Sequence, residues 1–354
     1  MARRTHESLY YADDKDLSDL MLASPKQLSP ERLVQFIRQR GLIISKELGP
    51  ADIVSYVSRL PFSWVELQRL STLTVTADRS EKRETKRVSS SSIKDADIKR
   101  ATKTLETSRG KRGEVVNIVA TDAGYRVQVK YSEVDATRNR LMQKTQKELD
   151  IEVNLTKDGI SVRHESNDRA LSVVNELINE LKTSDKKLRV REIDLGVGAS
   201  PAVKTKFFLD IASGLVGFNL ADITGVKVLS PGDGAKGGAK KLEGLIKHAQ
   251  LSGSGIQNTQ EYRNLVNAGF YVSRIDWLAT EKKKDGVQVA FMAELQEPRD
   301  GARFRYGLGR VTERDDEGDF RRSSRRHTEE EKARWSDKIE RAAYRAATKA
   351  KKKT

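Results

Sequence analysis

Apolar residues first recur at helical spacing and then, past residue 113, mostly at alternate positions. Leu33, Phe36 and Ile37 share one helical face, and Ile53, Val54, Val57 and Leu60 share another, which predicts two short helices. Pro30 and Pro50 stand where those helices begin, and Pro61 ends the second. Trp64, Leu67 and Leu70 predict a third helix, and a helical patch is expected around Leu17–Leu22. The alternating stretches Val115–Ala120, Tyr125–Tyr131, Ile151–Leu155 and Ile160–His164 read as two hairpins, turning at Asp122-Ala123-Gly124 and Lys157-Asp158-Gly159. The polar residues 135–148 between them suit a helix. An amphipathic helix over Asp168–Thr183 and a strand over Leu188–Leu195 follow.

Farther on, a helix is expected over Ala202–Leu215, a strand over Ile223–Leu229, either type over 242–251, and a helix over Thr259–Asn267. Three strands, Phe270–Ala279, Val287–Gln296 and Arg303–Val311, are joined by turn sequences that suit antiparallel neighbours. Thr328 and Glu331 form a capping box that opens a helix running to about Ala347. Trp335, Ile339, Ala342, Ala343 and Ala346 line one face of it, and the other face is basic. A helix of this length is marginal alone, so it is expected to fold against a nucleic-acid or protein partner.

This order of elements predicts the α+β class, with mixed antiparallel-sheet domains. The expected organisation is a polar N-terminal segment (1–27), a small helical domain (28–75), a basic flexible linker (76–113), a first α+β module (114–200), a second (201–311), and a basic tail with an amphipathic helix (312–354).

Composition sharpens the picture at the linker and the tail. The chain carries 66 Lys and Arg against 51 Asp and Glu, a net charge of +15. Residues 79–113 hold 12 bases and 5 acids, and residues 321–354 hold 13 and 5, so these two segments contain the whole excess. Both have few large apolar side chains, which points to weakly ordered arms that neutralise phosphates or serve only solubility. The absence of cysteine excludes disulfides, cysteine zinc sites and a cysteine nucleophile. No apolar run reaches membrane-spanning length, and the N-terminus lacks a secretory pattern, so a cytoplasmic protein without membrane contact is expected.

The most specific local pattern is Leu28–Leu60: Leu-Ser-Pro-Glu-Arg-Leu-Val-Gln-Phe-Ile-Arg-Gln-Arg-Gly-Leu, a short extension, then Ala-Asp-Ile-Val-Ser-Tyr-Val-Ser-Arg-Leu. It resembles the SAP-like helix–extension–helix motif, with Gly41 and Leu42 as its Gly-Leu pair. The resemblance implies DNA binding through Arg38, Arg40 and Lys46, although Glu47 and Asp52 put acid where that family usually has lysine. The pattern also fits an ordinary helical hairpin or a LEM-like protein-binding variant.

Other motifs lead away from catalysis. The glycine-rich segment 232–241 lacks Gly-Lys-Ser/Thr at phosphate-loop spacing and reads as a lysine-bearing surface loop. Leu195-Gly-Val-Gly-Ala-Ser200 lacks the third glycine of a dinucleotide fingerprint. The four histidines have no metal-ligand spacing, so no metal or cofactor is expected. Asp210, Asp276 and Glu294 are the acids a metal-dependent nuclease would use. Tyr271, Trp277, Phe304 and Tyr306 are candidates for base stacking, though their alternate spacing favours a core role.

The leading expectation is a non-enzymatic nucleic-acid-binding protein, with DNA ahead of RNA. Its phosphate contacts are assigned to Arg38, Arg40, Lys46, Lys86, Arg87, Arg109, Lys111, Arg112, Arg321, Arg322, Arg325, Arg326, Lys351, Lys352 and Lys353. A protein-binding adaptor or scaffold subunit of a larger complex, using the tail helix 328–347, is the alternative, and a nuclease without a recognised signature is the third.

Overall fold

The computed structural model describes residues 12–45, 47–74, 82–89, 93–135, 141, 143–156, 159–196, 198–230, 247–283 and 285–352. The chain divides into two units: residues 1–79, 106–117 and 128–149 in one, and 80–105, 118–127 and 150–354 in the other.

The first unit contains four helices, α1 (Asp14–Ala23), α2 (Pro30–Arg38), α3 (Pro50–Ser58) and α4 (Trp64–Thr74). Asp13 and Asp16 form a capping box at the start of α1, and proline occupies the first turn of α2 and α3 as expected. Leu20, Leu33, Ile37, Val57 and Leu70 are buried in one core, and Phe36 stacks on Phe62 with ring centroids 5.9 Å apart. Gly41, at φ 76°, turns the chain after α2 and lets Leu42 pack against that core.

The largest correction concerns residues 76–113. Where a flexible linker was expected, Arg83–Ser89 form strand β1 and Asp95–Gly110 form helix α5. Apolar burial does not explain β1, whose sequence is Arg-Glu-Thr-Lys-Arg-Val-Ser. Its polar side chains alternate between the two faces of a sheet and meet complementary charge on each. β1 pairs antiparallel with β5 (Gly159–Glu165), β6 (Arg189–Glu192) and β11 (Ala302–Thr312).

β1 thereby joins what the sequence suggested were two separate modules. The remaining strands are β2 (Val115–Thr121), β3 (Gly124–Val134), β4 (Lys144–Thr156), β7 (Phe218–Leu229), β8 (His248–Ser252), β9 (Tyr271–Glu281) and β10 (Gln288–Glu297). The sheet has 11 strands, in the order β2-β3-β4-β5-β1-β11-β10-β9-β7-β8 with β6 beside β1. The fold is α+β, and both predicted hairpins and the three-stranded meander β9–β10–β11 are present. Residues 144–148 belong to a strand, correcting the helical expectation for 135–148. They extend the strand that buries Leu149, Ile151 and Val153 farther along. Gly124 is required at its turn, since a Cβ there would lie 2.1 Å from the Val153 carbonyl oxygen.

Helices α6 (Asp168–Ser184), α7 (Pro201–Ser213), α8 (Gln260–Asn267) and α9 (Glu329–Lys351) complete the second unit. Its main core gathers Phe207, Phe208, Trp277, Phe291, Phe304, Tyr306 and Trp335. The base-stacking candidates Tyr271, Trp277, Phe304 and Tyr306 are therefore core residues, none more than 4% exposed. The largest correction after β1 is α9. Its apolar face is packed on its own chain, against α7 and the sheet, so its folding requires no external partner. Among the described residues no helix is long and apolar enough to cross a membrane.

Candidate nucleic-acid interface

The inner side of α9 explains how a helix so rich in charge stays docked. Trp335, Ile339 and Ala343 are fully buried, and the Trp335 indole N–H donates to Glu281 at 3.0 Å. One turn past Trp335 to Ile339, Glu340 points inward at 2% exposure. Its carboxylate accepts from Arg163 Nε at 2.6 Å, Arg163 Nη2 at 3.1 Å, Thr85 Oγ1 at 2.7 Å and the Tyr306 hydroxyl. Arg163 also donates to Glu152 at 2.6 Å, and Arg83 donates to the other oxygen of Glu152 at 2.6 Å. Two arginines thus face two glutamates, with Thr85 and Tyr306 completing the hydrogen bonds, so the buried charge is balanced and well bonded. Burial alone would raise the Glu152 carboxyl, but Arg83 and Arg163 hold it down at about 2. Burial, opposed by the arginines, pushes the Tyr306 hydroxyl up and keeps it a donor to Glu340.

The N-terminal end of α9 is fixed separately. Thr328 and Glu331 form the predicted capping box, and Arg325 donates two hydrogen bonds to Glu331, at 2.8 and 2.7 Å. The Arg325 hydrogen bonds are the main reason the Glu331 carboxyl lies down at about 2.

The outer side is different. Arg334, Lys338, Arg341, Arg345, Lys349 and Lys352 recur every three or four residues. At 100° per residue they fall within an arc of about 80°, and the row is about 27 Å long. The five from Arg334 to Lys349 border an open groove of about 730 Å³, lined also by Arg87, Val216, Asp337, Tyr344 and Thr348, while Lys352 lies toward Val203, Lys206 and Phe207. Arg87 reaches over the Tyr344 ring at 4.0 Å, while the Tyr344 hydroxyl donates to the Arg191 carbonyl at 3.2 Å.

Carboxylates offset few of these cations. Arg334 meets Glu281 at 3.0 Å and Arg341 meets Asp337 at 2.9 Å. Lys338 lies 5.0 Å over the Phe218 ring, and Arg345 donates to the Gly214 carbonyl at 2.9 Å. Among the described residues no salt bridge joins Lys338, Arg345, Lys349 or Lys352 to an acid. A row of like charge on a clamped helix raises the local positive potential and attracts polyanions.

The residues assigned from sequence have scattered fates. Lys86 and Arg109 are buried, at 8% and 1% exposure, and are corrected to structural roles. Lys86 meets Glu192 at 2.7 Å and Asn175 at 3.2 Å, on the face of β1 opposite Arg83, and Arg109 lies 3.6 Å from Glu114. Arg325 is occupied by Glu313 and Glu331. Arg40 is half-buried, ion-paired to Glu66 at 3.1 Å and set over the Phe62 ring. Lys351 meets Asp194 at 2.8 Å, and Arg321 donates to the Arg314 carbonyl at 3.1 Å. Arg38, Lys111, Arg112, Arg322 and Arg326 are exposed on other segments, whereas Arg87 lines the groove beside α9 and Lys352 caps the C-terminal end of α9. Lys46 and Lys353 lie outside the described residues, as does the glycine-rich segment 232–241.

The five cations from Arg334 to Lys349 belong to the basic face expected for the tail helix but are not among the residues assigned from sequence, because none of them stands in a run of adjacent bases. Their signal was the helical period of single bases within the tail.

The nuclease acids do not assemble. Asp210 is paired with Lys206, Asp276 with Arg274, and Glu294 with Lys82 and Arg305. Among the described residues no three His, Asp or Glu side chains converge as metal ligands would. In comparison with known proteins, no family model matches the chain, and no curated protein or solved structure matches it.

Proposed function

We propose that this protein binds nucleic acid without catalysis, using the outer stripe of α9 to neutralise backbone phosphates. The observation that supports this reading is the row of six cations on a helix whose inner face is fixed by a balanced buried network. Arms that lose their order on release would forfeit part of the binding energy, whereas a clamped row loses little on binding. Counterion release from the phosphates supplies the affinity, which therefore falls steeply with salt.

The test is fluorescence anisotropy of a labelled DNA with the full chain across a salt series. Contacts from the four cations of the row without a salt bridge among the described residues, Lys338, Arg345, Lys349 and Lys352, give a slope of log K against log salt of about −4. Reversing Lys338, Arg345 and Lys349 to Glu reduces that slope by about 3 and abolishes detectable binding at moderate salt. Circular dichroism of the variant checks that α9 stays folded. Unchanged binding by a folded variant excludes the stripe.

The adaptor reading draws support from a different place. The helical unit exposes Ile43, Val65 and Trp64, at 87%, 75% and 49%. Trp64 and Val65 are adjacent in α4, and exposed apolar side chains that cluster favour a protein contact. Pull-down with an Ile43→Ser, Val65→Ser double variant, after nuclease treatment, separates that contact from any held through nucleic acid.

A further inference from the structure

We infer that the α9 stripe takes duplex nucleic acid in preference to single strands and holds it by phosphates without reading bases. This rests on the proposed function and names the form of nucleic acid that the site accepts.

Proteins that hold single strands generally combine a basic track with aromatic rings on which bases stack. The α9 surface has the track but, among the described residues, no open ring. Tyr344 is the one aromatic among the described residues that line the groove, Arg87 lies over its ring at 4.0 Å, and its hydroxyl donates to the Arg191 carbonyl. The Phe218 ring is buried and capped by Lys338, and Trp335 is fully buried with its N–H on Glu281. Among the described residues a splayed base therefore finds no platform along the row.

Without stacking, charge density decides. A duplex presents one charge per about 1.7 Å of axis and releases more counterions per contact than a single strand does. The row is also anchored to the fold, by Arg325 and Glu331 at one end, Glu340 in the middle and the Lys351–Asp194 pair near the other. An anchored row meets a stiff polyanion without being ordered first.

Base reading is disfavoured by the same geometry. α9 is packed against α7 and the sheet, with Arg87 and Val216 bordering its exposed stripe. These neighbours limit how deeply α9 enters a major groove about 12 Å wide. Its groove-lining positions carry Arg, Lys, Tyr, Thr and one Asp, without the Asn or Gln that pairs with adenine, and of the arginines that would read guanine Arg334 is held by Glu281, Arg341 by Asp337 and Arg345 by the Gly214 carbonyl.

The test is competition against a labelled random duplex of about 25 base pairs, a length close to two turns of the helix. Competitors are an unlabelled DNA duplex of unrelated sequence, an RNA duplex, and oligo-dT of equal length. The expected result is that both duplexes compete at least tenfold better than oligo-dT, and that duplexes of different sequence compete within about threefold. Equal or better competition by oligo-dT overturns the duplex inference while leaving nucleic-acid binding intact, as does one duplex sequence that outcompetes the others by tenfold. Failure of every nucleic acid to bind removes the proposed function itself. Tyr344→Leu serves as a second measurement. Its affinity for oligo-dT stays within about twofold, whereas a stacking role would cost about tenfold or more.

Discussion

The two sides of α9 are built from the same residue types and do opposite work. On the inner side, Arg83 and Arg163 meet Glu152 and Glu340 in a buried lattice in which every charge has a counterpart. On the outer side, Arg and Lys recur with two carboxylates to offset six cations. A charge becomes part of a fold when burial forces it to be matched, and it remains available to a ligand when exposure leaves it unmatched. Net charge over a segment cannot separate these cases. The tail holds both Glu340, which is buried and bonded to Arg163, Thr85 and Tyr306, and Lys349, which contacts no acid among the described residues.

The strongest way to break this contrast is to remove one inner partner. Glu340→Ala leaves Arg163 half-paired and Tyr306 and Thr85 without their acceptor. Breaking a buried pair in this way costs about 3–5 kcal/mol. Urea denaturation should show that loss, and Glu340→Gln, which keeps an acceptor in place, should lose less. A loss below about 1 kcal/mol for Glu340→Ala would mean that apolar packing alone docks the helix.

Acid titration probes the same lattice more gently. The folded Glu152 carboxyl sits at about 2 against an ordinary 4.5. Its stabilisation is therefore complete above pH 4.5 and is lost as the pH falls toward 2, over which it amounts to roughly 3 kcal/mol. Denaturation midpoints of the native chain and Glu152→Gln should differ at pH 7 and converge as the pH approaches 2. A gap that stays constant with pH would place the contribution of Glu152 in packing rather than in charge.

How much of this was legible in advance depended on which force ordered each element. Apolar periodicity revealed α2, α3, α6, α7 and the meander, because their cores are made of Leu33, Ile53, Leu177, Phe208 and Phe291. It also revealed the inner face of α9. β1 was invisible to the same reading, because Arg83, Glu84, Thr85 and Lys86 are buried by long-range charge pairing with Glu152, Arg303, Glu340 and Glu192. Those partners lie from 69 to 255 residues away, beyond any local pattern. The candidate site was half legible. The basic tail was identified, but clusters such as Arg321–Arg326 attracted attention that the periodic row from Arg334 to Lys352 better earned.

The smallest effects offer the finest comparison, between two lysines two residues apart. Lys351 is half-exposed and paired with Asp194 at 2.8 Å, whereas Lys349 lines the groove and has no salt bridge among the described residues. Lys351→Ala should reduce stability by less than about 1 kcal/mol, as exposed pairs do, and leave the salt slope of DNA binding nearly unchanged. Lys349→Ala should leave stability within about 0.5 kcal/mol and reduce the slope by about 1, the signature of one lost phosphate contact. Thermal melts and salt-series anisotropy on the same two variants supply both readings. If the two lysines change the slope equally, intramolecular pairing does not decide which bases reach the ligand, and the distinction between the two sides of α9 fails at its weakest pair.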